Sequence, residues 1–270
     1  MNIAFIGGGN MANALIGGLI ARGMKPGSIS VVELLPAARR RLAARYKVHA
    51  SAAADARTRS ADTLLLAVKP QDMRAAVASL AADATGKLVI SIAAGIRLAD
   101  LSRWLGGYRR LIRCMPNTPA LIGAGISGLY ALPGVSEGEK RRAGRILGAV
   151  GKVVWVKKEA LLDPVTAVSA SSPAYVFWFI EQLAAAGVSL GLPAEDSRLL
   201  AQEAVLGAAK LAAGSKEPPS VLRERVTSKG GTTAAALRVF DEERLAERFR
   251  RAVEAASRRG AEMGEEFGKG

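Results

Sequence analysis

The sequence of 270 residues contains one cysteine and one histidine. With Cys114 alone, no intrachain disulfide can form, and a structural zinc site lacks its usual set of thiolate ligands. With His49 alone, a catalytic histidine pair and a two-histidine metal site are excluded. We therefore expect no metal in this protein.

Aromatic residues are also scarce, at 5% of the chain, and they do not alternate with the basic clusters. The net charge of +14 arises from 38 Lys and Arg against 24 Asp and Glu. These basic residues are spread along helical patterns with glutamates between them, which is typical of a solvated surface. We expect no nucleic-acid partner. The alternative that the charge suggests is a nucleotide-binding or nucleic-acid-binding protein without catalytic turnover.

Long uncharged apolar runs are missing. The longest covers residues 164–180 and contains two prolines and several serines, so we interpret it as a buried helix rather than a membrane span. The N-terminus leads into an apolar strand without the basic region and cleavage site of a signal peptide. These features predict a cytoplasmic protein with no membrane association.

Strands and helices alternate over the first part of the chain, which predicts an α/β fold with a parallel, doubly wound sheet. From residue 159 onward no strand is predicted, and helical patterns follow one another to the end. We therefore predict a sheet domain over residues 1–158 and an all-helical domain over residues 159–270. The apolar runs typical of buried strands include residues 2–6, 29–33, 63–70 and 86–95.

The helix predicted to begin at Ala174 is apolar on nearly every face. Such a helix must be enclosed in a soluble protein. Because the helical domain is small, we expect a second subunit to supply part of the cover, which predicts a homo-oligomer.

The first predicted strand runs into a glycine-rich turn that opens a helix, IAFIGGGNMANAL. The spacing fits G-x-G-x-x-G/A, in which glycines allow a tight turn and a close approach to a pyrophosphate at the helix N-terminus. This context predicts a Rossmann-like dinucleotide site. Its expected cofactor contacts are Gly7, Gly8, Gly9, Asn10 and Met11.

The end of the second strand bears on the choice of cofactor. Glu33 follows the glycine turn by about 20 residues, where an acid would accept a hydrogen bond from the ribose 2′-hydroxyl of NADH. Arg39, Arg40 and Arg41 come next and could hold the 2′-phosphate of NADPH. Both cofactors stay open, with NADH expected to be usable. After the next strand, Ala67, Val68, Lys69 and Pro70 are expected to line the cofactor crevice.

The segment VTSKGGTT, residues 226–233, is a small polar knot between two helical patterns. Free backbone N–H groups at Gly230, Gly231 and Thr232 would point at an anion, which the helix dipole would favour. Ser228 and Thr233 add hydroxyl donors. A plain capped turn between helices is the alternative.

The segments GGGNMA, AVKPQ, SIAAGI, RCMPNTPA, SPAYVFWFIE and VTSKGGTT, in this order and spacing, resemble those of the pyrroline-5-carboxylate reductase family. The resemblance covers nearly the whole chain. It implies reduction of pyrroline-5-carboxylate to L-proline by hydride transfer from NADPH or NADH to the C=N bond. It also implies an intertwined homodimer formed by the helical domain, and often a decamer of five dimers.

The resemblance implies roles for individual residues. Thr233 would lie near the imine nitrogen and orient it, and Ala94 of SIAAGI would contact the cofactor. The substrate would be bound by Ser228, Gly230, Gly231, Thr232, Thr233 and Glu159.

The chain departs from the family pattern at four positions. Ala170 and Ser172 stand where the family usually has glycines, and Lys229 stands where it has proline. Lys229 and Arg225 are expected to raise the positive charge beside the anion site. A related imine or hydroxyacid reductase with another substrate is therefore the second hypothesis.

Overall fold

The computed structural model describes residues 1–268, and within them eight strands form one sheet in the order β3-β2-β1-β4-β5-β6-β7-β8. The strands are β1 (Ile3–Ile6), β2 (Ile29–Val32), β3 (His49–Ser51), β4 (Thr63–Leu66), β5 (Leu88–Ser91), β6 (Leu111–Met115), β7 (Gly125–Ala131) and β8 (Gly151–Trp155). The predicted α/β fold with a Rossmann-like sheet followed by helices is confirmed. The short edge strand β3 was not predicted.

Helices connect the strands and then form the rest of the described chain. Those of the sheet region are α1 (Asn10–Ala21), α2 (Pro36–Tyr46), α3 (Ala56–Arg59), α4 (Met73–Ala78), α5 (Leu98–Trp104), α6 (Glu137–Leu147) and α7 (Leu162–Val165). The later helices are α8 (Ser172–Ser189), α9 (Ala194–Gly214), α10 (Pro219–Arg225), α11 (Thr232–Glu242) and α12 (Leu245–Gly268).

The sheet is parallel from β1 to β6, but β7 runs antiparallel to β6. A parallel pair needs a crossover connection of about a dozen residues or more. The connection between β6 and β7, residues 116–124, is shorter and contains only a single short 3-10 helix. The expectation of a fully parallel sheet therefore fails at this strand, while β8 follows the crossover helix α6 and is parallel to β7.

Alternate residues of β1 serve two separate hydrophobic layers. Ile3 and Phe5 pack with the layer that includes α1, α2 and α6, whereas Ala4 and Ile6 pack with the layer that includes α4 and α5. Successive side chains of a strand point to opposite faces. Both faces of the sheet are thus covered, and the carboxyl ends of the strands from β1 to β6 lie along one edge.

The described chain divides into two compact units, one of residues 1–171 together with the residues from 255 onward, and one of residues 172–254. This division differs from the predicted domain boundary after residue 158. The segment that follows residue 158 packs on the sheet, because Leu162 is fully buried and Val165 lies against Gly128 of β7. A Cβ added to Gly128 would lie 2.5 Å from Val165 Cγ1.

The C-terminal half of α12 belongs to the sheet unit because small residues let it approach closely. A Cβ added to Gly264 would lie 2.6 Å from Arg97 Nε, and Arg97 Nη2 donates a hydrogen bond to the carbonyl of Ala261 at 3.2 Å. Phe267 packs against the core layer of α4 and α5. The last turns of the chain therefore support the loop before α5.

The helical unit exposes much of its apolar surface. No residue of α8 is buried, and Phe177 and Trp178 are 67% and 58% exposed. Such an apolar surface needs cover from another chain. Within residues 1–268, no helix combines the length and the apolar character needed to cross a bilayer.

A substitution at Gly18 tests how closely α1 packs against the segment of Ala149 and Val150. In Gly18→Ala, the new methyl group would lie 2.6 Å from Val150 Cγ1 and 2.9 Å from the carbonyl oxygen of Ala149. We expect a loss of about 1–3 kcal/mol from overpacking, which exceeds the gain of about 1 kcal/mol in helix propensity. The measurement is the midpoint of thermal unfolding.

The matched control is Gly144→Ala in α6, where an added Cβ would meet no atom within 4 Å. This variant should be as stable as the parent or more stable. Equal midpoints for the two variants would contradict the close approach of α1.

Candidate active site

The predicted cofactor residues of three strands meet at one edge of the sheet. Ile6 pairs with Leu66, and Leu66 pairs with Ser91, so the segments after β1, β4 and β5 leave the sheet side by side. The strand order reverses between β1 and β4. In open α/β sheets, ligands bind in the crevice at this point of reversal.

Gly7 makes the sharp turn after β1. Its φ of +98° is unfavourable for other residues, and an added Cβ would lie 2.6 Å from the carbonyl oxygen of Ala67 and 3.1 Å from Val68 Cγ1. The glycine turn thus rests directly on the segment after β4. Gly7, Ala67 and Val68 therefore lie together, and their contact with a cofactor stays a prediction.

Gly8 and Gly9 have different surroundings. An added Cβ would lie 2.5 Å from Leu42 Cδ1 at Gly8 but would meet nothing within 4 Å at Gly9. Gly9 is the N-cap of α1, no side chain caps this helix, and its first turn, which begins with Asn10 and Met11, holds no acid. The uncapped N–H groups and the helix dipole suit an anion such as a pyrophosphate.

Glu33 is held by backbone groups. Its Oε2 accepts a hydrogen bond from Gly8 N at 2.8 Å, and its Oε1 accepts one from Leu35 N at 2.8 Å. Arg39 Nη1 donates to the carbonyls of Glu33 and Leu34, each at 2.7 Å. The carboxylate therefore ties the glycine turn to the loop after β2, a role that its spacing alone did not indicate.

Asn13 is a residue of this edge that the sequence analysis missed. Its Nδ2 donates to the carbonyl of Gly8 at 2.8 Å and to that of Gly9 at 3.0 Å, while Tyr46 Oη donates to the carbonyl of Asn13 at 3.1 Å. A polar residue between the alanines of the first helical turn was the available signal. Asn13 fixes the carbonyls of the turn, while the N–H groups of Gly7 and Gly8 are held by the carbonyl of Val32 and by Glu33.

The remaining predicted cofactor residues lie along the same edge. Lys69 is exposed and has an extended backbone, with φ −65° and ψ 152°, before Pro70. Ala94 is half-buried, and the next residue, Gly95, has φ +73° and packs against Phe267. Together with the glycine turn, this edge fits a dinucleotide, with the pyrophosphate at the start of α1.

The polar knot in the helical unit has the geometry of an anion-binding turn. Gly230 has φ +71°, and Gly231 is the N-cap of α11, with no side-chain cap and no acid in the first turn. Thr232 and Thr233 are the first two residues of the helix. A Cβ added to Gly231 would lie 2.5 Å from Ser228 Oγ, so a side chain there would force the hydroxyl of Ser228 to turn away. No side chain caps this helix, and anion binding at the turn stays a prediction.

Arg225 does not contribute a free charge to this turn. Its guanidinium forms two contacts with the carboxylate of Glu217, Nη1 to Oε2 at 2.5 Å and Nη2 to Oε1 at 2.6 Å. The expectation that Arg225 raises the charge beside the anion site is therefore wrong, because the ion pair offsets it. Lys229 is exposed.

Glu159 lies in the sheet unit and makes structural contacts. Its Oε1 accepts from Leu98 N, the first residue of α5, at 2.7 Å and from Arg113 Nη1 at 3.3 Å. Arg113 is buried, at 4% exposure, and Asp163 lies 3.6 Å from its other terminal nitrogen. These contacts join β6 to α5. A role of Glu159 in substrate binding stays a prediction.

The single cysteine and histidine have structural surroundings. Burial raises the pKa of the Cys114 thiol to about 12, so it is neutral and unsuited to nucleophilic work. His49 Nε2 lies 2.5 Å from Asp55 Oδ2. The N–H of Thr58, with help from His49, lowers the pKa of Asp55 to about 2.

The chain resembles known proteins over nearly its whole length. The chain is 44% identical to a pyrroline-5-carboxylate reductase of Pseudomonas aeruginosa over 99% of its own length and 98% of the relative. It is 39% identical to that of Escherichia coli, over 99% and 98%. The chain belongs to the pyrroline-5-carboxylate reductase family. The predicted family is thereby confirmed.

Solved structures and family matches extend the comparison. A pyrroline-5-carboxylate reductase from Coxiella burnetii is similar with a TM-score of 0.93 and 38% identity, covering 97% of this chain and 98% of that one. The Plasmodium falciparum structure, with NADP bound, has a TM-score of 0.85 and 28% identity, covering 98% of both chains. Residues 2–95 match "NADP oxidoreductase coenzyme F420-dependent". Residues 159–263 match "Pyrroline-5-carboxylate reductase dimerisation", which supports self-association.

Gly9 tests the pyrophosphate position. Gly9→Val should fold normally, because an added Cβ meets no protein atom within 4 Å, and should raise the NADPH dissociation constant at least about tenfold by occupying the ligand's place. Binding is measured by titration of NADPH fluorescence, and folding by circular dichroism. Gly8→Ala is the contrasting variant, since its methyl group would strike Leu42 and lower stability. Normal NADPH binding by Gly9→Val would mean that the site is misplaced.

Glu33→Gln tests whether this residue positions the turn or selects the cofactor. Glutamine can accept only one of the two backbone hydrogen bonds well, so we expect KM to rise several-fold to about tenfold for both NADH and NADPH. The ratio of kcat/KM between the cofactors should change less than about threefold. Glu137→Gln, at an exposed position of α6, is the control. A large gain for NADPH alone would show that Glu33 selects by repulsion instead.

Proposed function

We propose that the chain reduces pyrroline-5-carboxylate to L-proline with NADPH or NADH. The observation that carries the proposal is the uncapped start of α11, where a glycine turn leaves N–H groups and hydroxyls for a carboxylate. It stands in a chain of the pyrroline-5-carboxylate reductase family that also has a dinucleotide edge.

The sheet unit holds the cofactor in this proposal. The N–H groups at Gly9, Asn10 and Met11 bind the pyrophosphate, while Glu33 and Asn13 keep the glycine turn in shape from behind. When bound, the nicotinamide supplies the hydride. The segments of Ala67 to Pro70 and of Ala94 line the crevice and exclude water from it.

The helical unit holds the substrate carboxylate. The N–H groups of Thr232 and Thr233 and the Oγ of Ser228 donate to its oxygens, and the dipole of α11 adds to the attraction. Binding of this kind orients the ring of the substrate for hydride addition at the imine carbon. Most of the rate gain then comes from holding two reactants in a reactive arrangement.

Thr233 orients the imine nitrogen. Its hydroxyl is a poor acid at its ordinary pKa, so a hydrogen bond to the ring nitrogen is its best supported contribution. The product nitrogen carries the proton that the imine nitrogen had already taken up from water. The imine must be protonated before hydride addition, because the cation accepts hydride more readily than the neutral ring.

The assembly and its location extend the proposal. The exposed apolar faces of α8 and the dimerisation match at residues 159–263 support a homodimer as the basic unit. A decamer of five dimers is the larger assembly that we propose from the family resemblance. We place the enzyme in the cytoplasm, without membrane or nucleic-acid partners.

A second substrate class follows from the serine-rich segment before α8. Ala170 and Ser172 carry side chains where the family resemblance expects glycines, and both are half-buried. Added side chains change the room for a ring. A six-membered cyclic imino acid is therefore the competing substrate for the assay.

The Thr233 hydroxyl is tested with pyrroline-5-carboxylate and piperideine carboxylate as substrates. Thr233→Ala should lower kcat about ten- to a hundredfold and leave the KM for NADPH within about twofold, because the cofactor edge is unchanged. Thr233→Ser should recover most of the activity. The measurement is the initial rate of NADPH oxidation at 340 nm (the conventional wavelength for this assay, roughly the NADPH absorption maximum).

Thr227→Ala is the matched control, because Thr227 Oγ1 donates to the carbonyl of Arg223 at 2.7 Å and so serves the end of α10. It should keep near-normal kcat. A parent enzyme that reduces neither imine, or a Thr233→Ala variant with normal turnover, would refute the proposed role.

A further inference from the structure

Asn117 makes hydrogen bonds that its position in the chain does not call for. It lies between Pro116 and Pro119 and is the N-cap of the 3-10 helix Thr118–Ile122, yet its side chain does not cap that helix. Asparagine at such a position usually bonds its own following backbone. The side chain instead forms hydrogen bonds with other segments.

Those partners belong to two separate segments. Asn117 Oδ1 accepts from Ile126 N of β7 at 2.9 Å, and Asn117 Nδ2 donates to the carbonyl of Ser169 at 3.2 Å. The residue is 8% exposed. Through these two hydrogen bonds, the buried side-chain amide joins the loop after β6, strand β7 and the segment at Ser169.

The segment at Ser169 has an unusual backbone. Residues Thr166–Ala170 form a π-helical turn, in which Ser171 N donates to the carbonyl of Thr166 at 2.9 Å. Turns of this kind are rare and are found mostly at functional sites. Around it stand half-buried hydroxyl residues, Thr166, Ser169, Ser171 and Ser172.

Asn117 follows β6 at the edge of the sheet that carries the predicted cofactor residues. Ser91 pairs with Arg113, so the chain leaves β6 toward Asn117 beside the segment that carries Ala94. Neighbouring strands lie about 5 Å apart. The half-sheet of β4, β5 and β6 is the mononucleotide-binding half that does not carry Glu33, and it takes the nicotinamide half of a dinucleotide.

We infer that Asn117 is a positioning residue for hydride transfer, which holds the π-helical turn of residues 166–170 against the nicotinamide half of the crevice. This inference rests on the proposed function. Asn117 touches neither the glycine turn nor the contacts of Glu33 and Asn13, so cofactor binding does not depend on it. What depends on it is the placement of the polar turn beside the reacting ring.

The test is the kinetics of Asn117→Ala beside the parent enzyme. We expect kcat with pyrroline-5-carboxylate to fall about ten- to a hundredfold, while the KM for NADPH stays within about twofold. With NADPH deuterated at the transferred position, the isotope effect on kcat should increase, because a misplaced ring makes hydride transfer the slow step. Should Asn117→Ala not fold, Asn117→Ser takes its place.

Ser136→Ala is the matched control for simple destabilisation. Ser136 forms a capping box with Glu139 at the start of α6, and α6 follows β7, whose antiparallel course ends at the opposite edge of the sheet. This variant should lower the unfolding midpoint without changing kcat, the KM for NADPH or the isotope effect.

The outcomes separate the two levels of the argument. A parent enzyme without imine reductase activity would overturn the proposed function, and the inference with it. An active parent and a folded Asn117 variant with kcat within twofold of the parent would overturn the inference alone. So would a fall in kcat without a rise in the isotope effect and with a parallel loss of NADPH binding.

Discussion

Two helices of this protein begin at a glycine where a capping side chain would ordinarily stand. Gly9 precedes α1 and Gly231 precedes α11, and neither helix has a side-chain cap or an acid in its first turn. A helix N-terminus in this state presents unpaired N–H groups and a partial positive charge. One unit thereby suits a pyrophosphate and the other a carboxylate. The proposed reduction of an anionic imine with a dinucleotide relies on these two helix ends.

The glycine turn after β1 requires support from other residues, because glycines have no side chains that could fix its shape. At the first turn, the carboxylate of Glu33 holds Gly8 N, and the amide of Asn13 holds the carbonyls of Gly8 and Gly9. At the crevice wall, Asn117 fixes the carbonyl of Ser169. These three side chains bind backbone groups. They keep the backbone in the arrangement that we propose for binding the dinucleotide and the imine.

The sequence predicted the elements that depend on local patterns. The second strand was expected within residues 29–33 and lies at Ile29–Val32, since a short apolar run is a local signal. The glycine turn after β1 was likewise predicted from its spacing. Contacts between distant segments were not predictable in the same way. The hydrogen bond of Glu33 with Gly8 and the ion pair of Arg225 with Glu217 were not predicted, because these partners are visible only once the chain is folded.

The amino-acid order settles the apolar central strands, the glycine turns before α1 and α11, and the need of α8 for cover, since these follow from periodicity, turn chemistry and hydrophobicity. The folded chain settles matters that involve long sequence separations. It turns β7 against β6, packs the end of α12 beside Gly95, and directs the amide of Asn117 to Ser169. Such contacts depend on the shapes of surfaces that exist only after the segments have packed together.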